Sequence, residues 1–270
     1  LLDINAVQAR TDWSADKAND TRDRVVTLLG LADTVTVSTS MLAARVAEYA
    51  KDVRVFPNHL DQGLWPVHSA RTPAKSDSGE SAARPIRIGY IGTPSHDQDL
   101  AVIAAAVRQI EVVFGNQIRV EVVGAFRGKQ ALFGQVRDHG NASEYPQFVD
   151  WLSRNVHWDI GLIPLVDDNF NRSKSDLKFL EYAALGMAII CSDVPAYRGI
   201  AVHEQNCLVS SNTEQQWVDA ITRLIRDGEL RARLSGAARA QVADKRMLLA
   251  TESHYVDLLG SVSGPTVRAA

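Results

Sequence analysis

The chain has 270 residues, of which 46% are hydrophobic and 23% charged. This is the balance of an ordinary folded protein, long enough for one large domain or two small ones. A net charge of −3 gives no electrostatic basis for binding nucleic acid or a membrane surface, and no apolar run approaches the roughly 20 residues that span a bilayer. Cys191 and Cys207 form neither a disulfide framework nor a CxxC pair. With no basic-then-apolar leader in view, a cytoplasmic location is the default expectation, compatible with peripheral attachment at the inner face of the membrane.

In chain order, Asp20 to Leu29 reads as a helix, Thr34-Val-Thr-Val37 as a strand and Ser40 to Tyr49 as a helix. Val53-Arg-Val-Phe56 reads as a strand that stops at Pro57, because proline cannot donate to a ladder. Residues 1–64 therefore look like the last β-α-β portion of a preceding domain. Leu1 as first residue, with methionine only at Met41, Met187 and Met247, fits a segment excised from something longer. Residues 65–84 carry Pro66, Pro73, Ser76, Ser78, Gly79 and Ser81 among charges, the composition of a flexible linker or loop.

From residue 85 the pattern changes to regular alternation. Ile86 to Gly92 is a β-rich run ending in glycine, followed by a helical stretch, Asp99 to Phe114, with Val102, Ile103, Val107, Ile110 and Val113 at helical spacing. Strands follow at Ile118–Gly124, Asp159–Pro164, Ala188–Cys191 and Cys207–Ser210, with helices at Tyr145–Asn155 and Asp176–Leu185. The tail holds three helical segments, Thr213–Asp227, Glu229–Val242 and Leu248–Leu259, the first opened by the capping sequence Thr213-Glu-Gln-Gln216. Residues 261–270 are small and polar, a frayed end. Apolar strands alternating with helices predict an α/β fold, a Rossmann-like parallel sheet flanked by helices over residues 85–270.

In such sheets ligands bind beyond the carboxyl ends of the strands, where turns feed helix N-termini. Three strand ends stand out. The first is Gly89-Tyr-Ile-Gly92-Thr93-Pro94-Ser95-His96-Asp97, where glycines let a ligand approach the backbone and Thr93, Ser95 and His96 supply polar groups. The second is Asn171-Arg-Ser173-Lys174-Ser175-Asp176-Leu177-Lys178-Phe-Leu-Glu181. Lys174, Lys178 and Glu181 fall at i, i+4 and i+7, one stripe of a helix. Two cations beside free helix N–H groups suit a diphosphate, and a carboxylate further on suits sugar hydroxyls. The plainer explanation of the same spacing is a solvated charged face with a Lys–Glu pair. The third, Ser192 to Gly199, reads as a turn on the same sheet edge. Gly124-Ala-Phe-Arg-Gly128-Lys129-Gln130 has too few residues between its glycines for a phosphate loop and ends in Gln rather than Ser or Thr. His59, His68, His157 and His203 have no metal-ligand spacing, and there is no GxSxG elbow.

The order of these segments resembles a known family. Val55-Phe-Pro57-Asn58-His-Leu-Asp61 resembles the V-x-P-N-G-V-D segment where GT-B glycosyltransferases pass between their two domains. Phe179-Leu-Glu181-Tyr-Ala-Ala-Leu-Gly186-Met-Ala-Ile-Ile resembles the F-x-E-x-x-A-x-G-x-P-V-I half of the E-x7-E signature of the retaining group-1 (GT4-like) transferases. The resemblance covers residues 30 to 245. It implies a nucleotide-sugar donor bound by the C-terminal domain, with no metal or other cofactor, transferred with retention to a saccharide or lipid-linked acceptor. Glu181 matches the signature's second glutamate, which holds ribose hydroxyls, and Lys178 matches the lysine of its K-x-x-E variant. The backbone of Ser175, Asp176 and Leu177 meets the phosphates, with Gly92, Thr93, His96 and Lys174 around the donor.

Two departures stand out. Ser173 occupies the place of the first glutamate, which contacts the transferred sugar, and the usual Arg–Lys pair after the first strand is absent. Diphosphate neutralisation then falls to Lys174 and Lys178, with Arg172 or Arg127 in reserve. The Gly92-Thr-Pro-Ser-His-Asp97 segment resembles a variant from transferases of bacterial surface polysaccharides. The resemblance also makes the acceptor-binding N-terminal domain of the same protein a partner mostly missing here. Two other readings stand beside transfer. A GT-B half lacking the first glutamate serves as a non-catalytic scaffold, or the fold belongs to a nucleotide-sugar epimerase, which the Glu181–Gly186 segment fits less well.

Overall fold

The computed structural model describes residues 13–65, 67, 84–125, 131–138 and 144–249, with 252, 253, 256, 257 and 260 beyond them. Most of the expected linker, Arg127, residues 261–270 and much of the expected helix after Leu248 lie outside that set. Among the described residues no helix is long and apolar enough to cross a membrane.

The N-terminal part folds as α1 (Ala15–Leu31), β1 (Val35–Val37), α2 (Ser40–Val46) and β2 (Val53–Val55). β1 and β2 pair in parallel, Val35 opposite Val53, so α2 is the crossover that a parallel pair requires. Ser14 and Thr39 cap the two helices, accepting from the Lys17 and Leu42 amides, as short hydroxyl side chains do at helix starts.

The larger part contains β3 (Ile86–Ile91), α3 (Asp97–Phe114), β4 (Ile118–Val123), β5 (Gln135–Arg137), α4 (Tyr145–Asn155), β6 (Ile160–Ile163), α5 (Leu177–Ala184), β7 (Ala188–Ser192), β8 (Leu208–Ser210), α6 (Glu214–Arg226) and α7 (Gly228–Lys245). The strands form one parallel sheet in the order β5-β4-β3-β6-β7-β8, the α/β sheet expected from the sequence. The sequence does not predict β5, because Gln-Val-Arg, mostly exposed, carries no apolar alternation.

Strand residues alternate between two cores. Ile88, Tyr90, Val120, Val122, Ile160, Leu162 and Ile190 face α3 and α6, while Ile91, Val123, Ile163, Ile189 and Cys191 face α4, α5 and the end of α7. The helices meet them with residues three and four apart, such as Trp217, Val218, Ile221, Leu224 and Ile225 of α6. On the second face, Gly89 of β3 lies opposite Gly161 of β6. A Cβ on Gly89 would stand 1.8 Å from the Trp158 indole, and one on Gly161 would stand 2.4 Å from the Tyr182 ring. The glycine pair is the trough into which those two aromatics fit, and it lets the Trp158 Nε1–H donate to the buried Glu121 at 2.7 Å.

The N-terminal unit joins the larger part through Leu60, buried in the second core, and through polar contacts at the end of α7 and the start of α5. Leu60 bridges Met247, with the Leu60 amide donating to the Arg246 carbonyl and the Leu248 amide to the Leu60 carbonyl, both at 2.9 Å. Arg246, just past α7, donates to both carboxylate oxygens of Asp176 (2.6 and 2.8 Å) and twice to the Asn58 carbonyl (3.1 and 2.7 Å).

Candidate functional site

The sheet order places its topological switch at β3 and β6, whose crossovers run to opposite sides and leave a crevice above their carboxyl ends. Gly92 closes β3, its amide donating to the Val123 carbonyl at 3.0 Å. Gly124, at φ +70°, closes β4, and a Cβ there would stand 2.6 Å from the Gly92 carbonyl oxygen. Only residues without side chains allow the two chain ends so close, which keeps the floor of the crevice low.

Over β3, residues 94–96 make one 3-10 turn before α3. The helix starts at Asp97, two residues earlier than its apolar spacing predicts, because Asp97 and Asp99 in its first turn favour the positive end of the dipole. Thr93 is exposed, its hydroxyl 2.8 Å from that of Ser95. Asp99 is fully buried. Its Oδ1 accepts from the Val166 amide (2.9 Å) and the Asn171 side chain (2.8 Å), and its Oδ2 lies 2.8 Å from His96 Nδ1. Lys174 Nζ stands 3.3 Å from that ring nitrogen and 3.9 Å from Asp99 Oδ2.

The segment between β6 and α5 supplies the other wall. Ser173 ends a 3-10 turn; its carbonyl accepts from Thr39 Oγ1 at 3.1 Å, and its own hydroxyl has no hydrogen-bond partner among the described residues. Ser175 Oγ accepts from the Asn58 side chain at 2.7 Å. Asp176 is the N-cap of α5 but does not cap it, because its carboxylate is turned to Arg246. Leu177 packs on the core. The N-terminal unit thus touches the expected donor-binding segment at Ser173 and Ser175, and Arg246 ties the N-terminal unit to it at Asp176. Arg172 pairs with Asp167 on the surface at 2.7 Å, directed to a carboxylate of its own loop.

Lys178 and Glu181 face the crevice one turn apart. Lys178 Nζ donates to the Tyr90 hydroxyl at 3.0 Å and sits 4.3 Å from the centre of that ring. Burial, reinforced by the Lys174 cation and opposed by Glu181, holds its ammonium down at about 7. Glu181 is pushed up to about 7 by burial, against the pull of Lys178 and Tyr145. The Tyr145 hydroxyl donates to its Oε1 at 3.4 Å and in turn accepts from Trp65 Nε1 at 3.2 Å. Burial and then the Glu181 charge hold that phenol up at about 12. His96 is lowered to about 4 by burial and by Lys178 and Lys174, against the opposing effect of Asp99. The arrangement is an anion-seeking crevice: two ammonium groups, a helix start, and a carboxylate in shared dry surroundings.

Of the residues singled out from sequence, Gly92, His96, Lys174, Lys178 and Glu181 line this crevice, Thr93 stands exposed at its rim, and the side chains of Ser175 and Asp176 are engaged elsewhere. No role was read from the sequence for Tyr90, Asp99, Asn171, Tyr145, Trp65 or Arg246, although Tyr90 and Asn171 stand within two of the strand-end segments. His96 and Asp99 are three apart at a helix start, a spacing that puts them on one face and was the available signal for Asp99. Tyr145, Trp65 and Arg246 come from distant elements with nothing local to mark them. Among the described residues no three His, Cys, Asp or Glu side chains gather as a metal site.

Sucrose-phosphate synthase of Thermosynechococcus elongatus is similar in structure, with a TM-score of 0.61 and 18% identity, covering 96% of this chain and 66% of its own. HepE of Anabaena, solved with UDP and glucose, gives a TM-score of 0.65 and 16% identity over 89% of this chain and 67% of its own. TarM of S. aureus, solved with UDP, gives 0.62 and 13% over 91% and 47%. This chain therefore spans about half to two thirds of the length of these structures, and at such identities the likeness is one of fold, the Rossmann-like domain of GT-B proteins. No curated protein sequence matches the chain significantly. Residues 85–227 match the profile of the family described as glycosyl transferases group 1. That stretch runs from the residue before β3 to the N-cap of α7 and takes in the whole large sheet with both walls of the crevice. Since it is also more than half of the sequence, the chain belongs to the group 1 glycosyl transferases.

Proposed function

We propose that this chain binds a nucleotide-diphosphate sugar in the β3/β6 crevice and transfers the sugar, with retention, to a saccharide or lipid-linked acceptor. The observation that carries the reading is the pair Lys178 and Glu181 on α5, with Lys174 in the extended segment just ahead of that helix, set over the switch point of a parallel sheet. Lys178 and Lys174 receive the diphosphate together with the Ser175–Leu177 backbone, and Glu181 accepts from the ribose hydroxyls. In the transfer, the bond from the anomeric carbon to the diphosphate oxygen breaks with its electron pair leaving on the diphosphate. The acceptor hydroxyl oxygen forms the new bond, and its proton passes to the departing diphosphate. Cations at the leaving oxygens stabilise the charge that develops there without a bound metal. The fold shared with HepE and TarM, both solved with UDP, supports a nucleotide of this class.

In this reading residues 1–64 are the end of an acceptor-binding N-terminal domain, 65–84 the linker, and 85–270 the donor domain of a cytoplasmic enzyme, with a role in bacterial surface polysaccharide synthesis. Ser173 in the place of the first signature glutamate favours a second reading, a non-catalytic GT-B scaffold. Calorimetric titration separates them: the donor reading expects binding of at least one of UDP, GDP and ADP. Lys178→Ala should then weaken the diphosphate more than the parent nucleoside. Glu181→Ala should weaken both by about 1.5–3 kcal/mol, the range for a hydrogen bond to a charged group. A chain that binds none of the three nucleotides is a scaffold.

A further inference from the structure

The contacts around His96 fix which of its nitrogens carries the proton. Asp99 is buried and already accepts two N–H bonds on Oδ1, while its Oδ2 lies 2.8 Å from His96 Nδ1. An unprotonated Nδ1 would set two lone pairs against each other at that distance, so Nδ1 carries the hydrogen and donates it to Asp99. Lys174 Nζ, at 3.3 Å from the same nitrogen, is then held by the Asp99 charge and by the Phe170 ring, 5.1 Å from its centre, and not by the imidazole. Burial and the two lysines keep the ring from taking a second proton near neutral pH. Nε2 is left as a bare acceptor with no hydrogen-bond partner among the described residues, on a side chain 16% exposed.

Fully ionised phosphate oxygens are acceptors too, and an acceptor facing them repels. A sugar hydroxyl has the hydrogen that Nε2 needs. We propose that His96, positioned by Asp99, reads a hydroxyl of the transferred sugar rather than the diphosphate, and so acts as a specificity-determining residue for the donor. The ring stands at the turn over β3, beside the cations that would hold the diphosphate, and edge-on to Tyr90 with centroids 6.5 Å apart, which limits its rotation. This proposal rests on the nucleotide-sugar reading of the crevice, but the tautomer does not.

The test has two arms. Nitrogen-15 NMR of the ligand-free protein should find a protonated Nδ1 and a bare Nε2 at neutral pH; the reverse pattern would overturn the proposal. In the second arm, UDP-glucose, GDP-mannose and ADP-glucose are titrated against the matching diphosphates. His96→Ala should weaken the sugar nucleotide by about five- to tenfold, the size of one neutral hydrogen bond, with the diphosphate changed less than twofold. His96→Gln, whose amide oxygen reaches near the Nε2 position, should recover part of the loss. Equal losses for sugar nucleotide and diphosphate, or protonation of Nε2 when the diphosphate binds, would instead make His96 a phosphate ligand and overturn the proposal. If the wild-type chain binds the diphosphates but gains nothing from any of the sugars, the hydroxyl reading fails while nucleotide binding stands. If it binds no nucleotide at all, the nucleotide reading itself fails, and the tautomer result remains.

Discussion

Arg246→Met is the perturbation with the widest structural reach. Its guanidinium makes a two-pronged pair with Asp176 at 2.6 and 2.8 Å, and both side chains are only about 15% exposed (16% and 15%). It also donates twice to the Asn58 carbonyl, so one side chain joins the end of α7, the start of α5 and the N-terminal unit. Breaking a fully buried pair from one side costs about 3–5 kcal/mol, since the remaining charge is stranded. The residual exposure here lets water reach Asp176, so about 2–4 kcal/mol is the expected loss. Asp176→Asn should cost less, because Arg246 keeps the Asn58 carbonyl. Urea denaturation of the two single variants and the double variant, followed by far-UV circular dichroism, gives the coupling directly. Hydrogen exchange should also speed up at the amides of Leu60 and Leu248, whose bonds flank the arginine. A loss below about 1 kcal/mol for Arg246→Met, with exchange unchanged at Leu60 and Leu248, would show that the pair is a solvated surface contact and refute the reasoning.

Three further outcomes follow from the same geometry. The Lys178 ammonium is held at about 7 against 10.5 in the unfolded chain, so the unfolded state binds more protons between those values and stability falls as pH drops through them; Lys178→Met should flatten the alkaline side of a melting-temperature profile. Glu181, raised to about 7 from 4.5, works in the opposite sense: stability present below 4.5 is lost as pH rises through 7, and Glu181→Gln should flatten the acidic side. Gly89→Ala sets a methyl group 1.8 Å from the Trp158 indole and should cost about 1–3 kcal/mol as an overpacked core does, with a changed tryptophan emission; a variant as stable as the wild type, with the same emission, would mean the trough is not closed by Trp158.

The larger sheet was legible because its strands are buried on both faces. Runs such as Ile118–Val123 and Ala188–Ser192 have no other physical reading at that length, and helices such as Tyr145–Asn155 carry an apolar stripe of their own. The short exposed β5 carries no such signature; it exists because β4 offers an edge to pair with. Lys178 and Glu181 were legible because they share α5, but Lys174, expected on the same helical stripe, stands in the extended segment after the 3-10 turn and before the helix, and it comes to the site from there. The partners of these residues were not legible. Tyr90 reaches Lys178 from β3, Tyr145 reaches Glu181 from α4, and Asn58 reaches Ser175 from the N-terminal unit, contacts set by the packing of distant segments. Asp176 is the instructive case. Sequence placed it at a helix start facing phosphates, and its backbone is there, but an arginine seventy residues on has taken its carboxylate.

The pairing of Leu60 with Met247 governs how the two parts of the chain can move. A single crossing strand can bend and twist about any axis. Here two chain segments lie side by side at Leu60 and Met247, locked by the Leu60 and Leu248 amides, so bending one drags the other. Rotation about the line across both segments remains open, whereas sliding and twisting break main-chain bonds. Separating the N-terminal unit from Ser173 and Ser175 therefore requires either a turn about that line or the rupture of the Leu60 and Leu248 main-chain bonds.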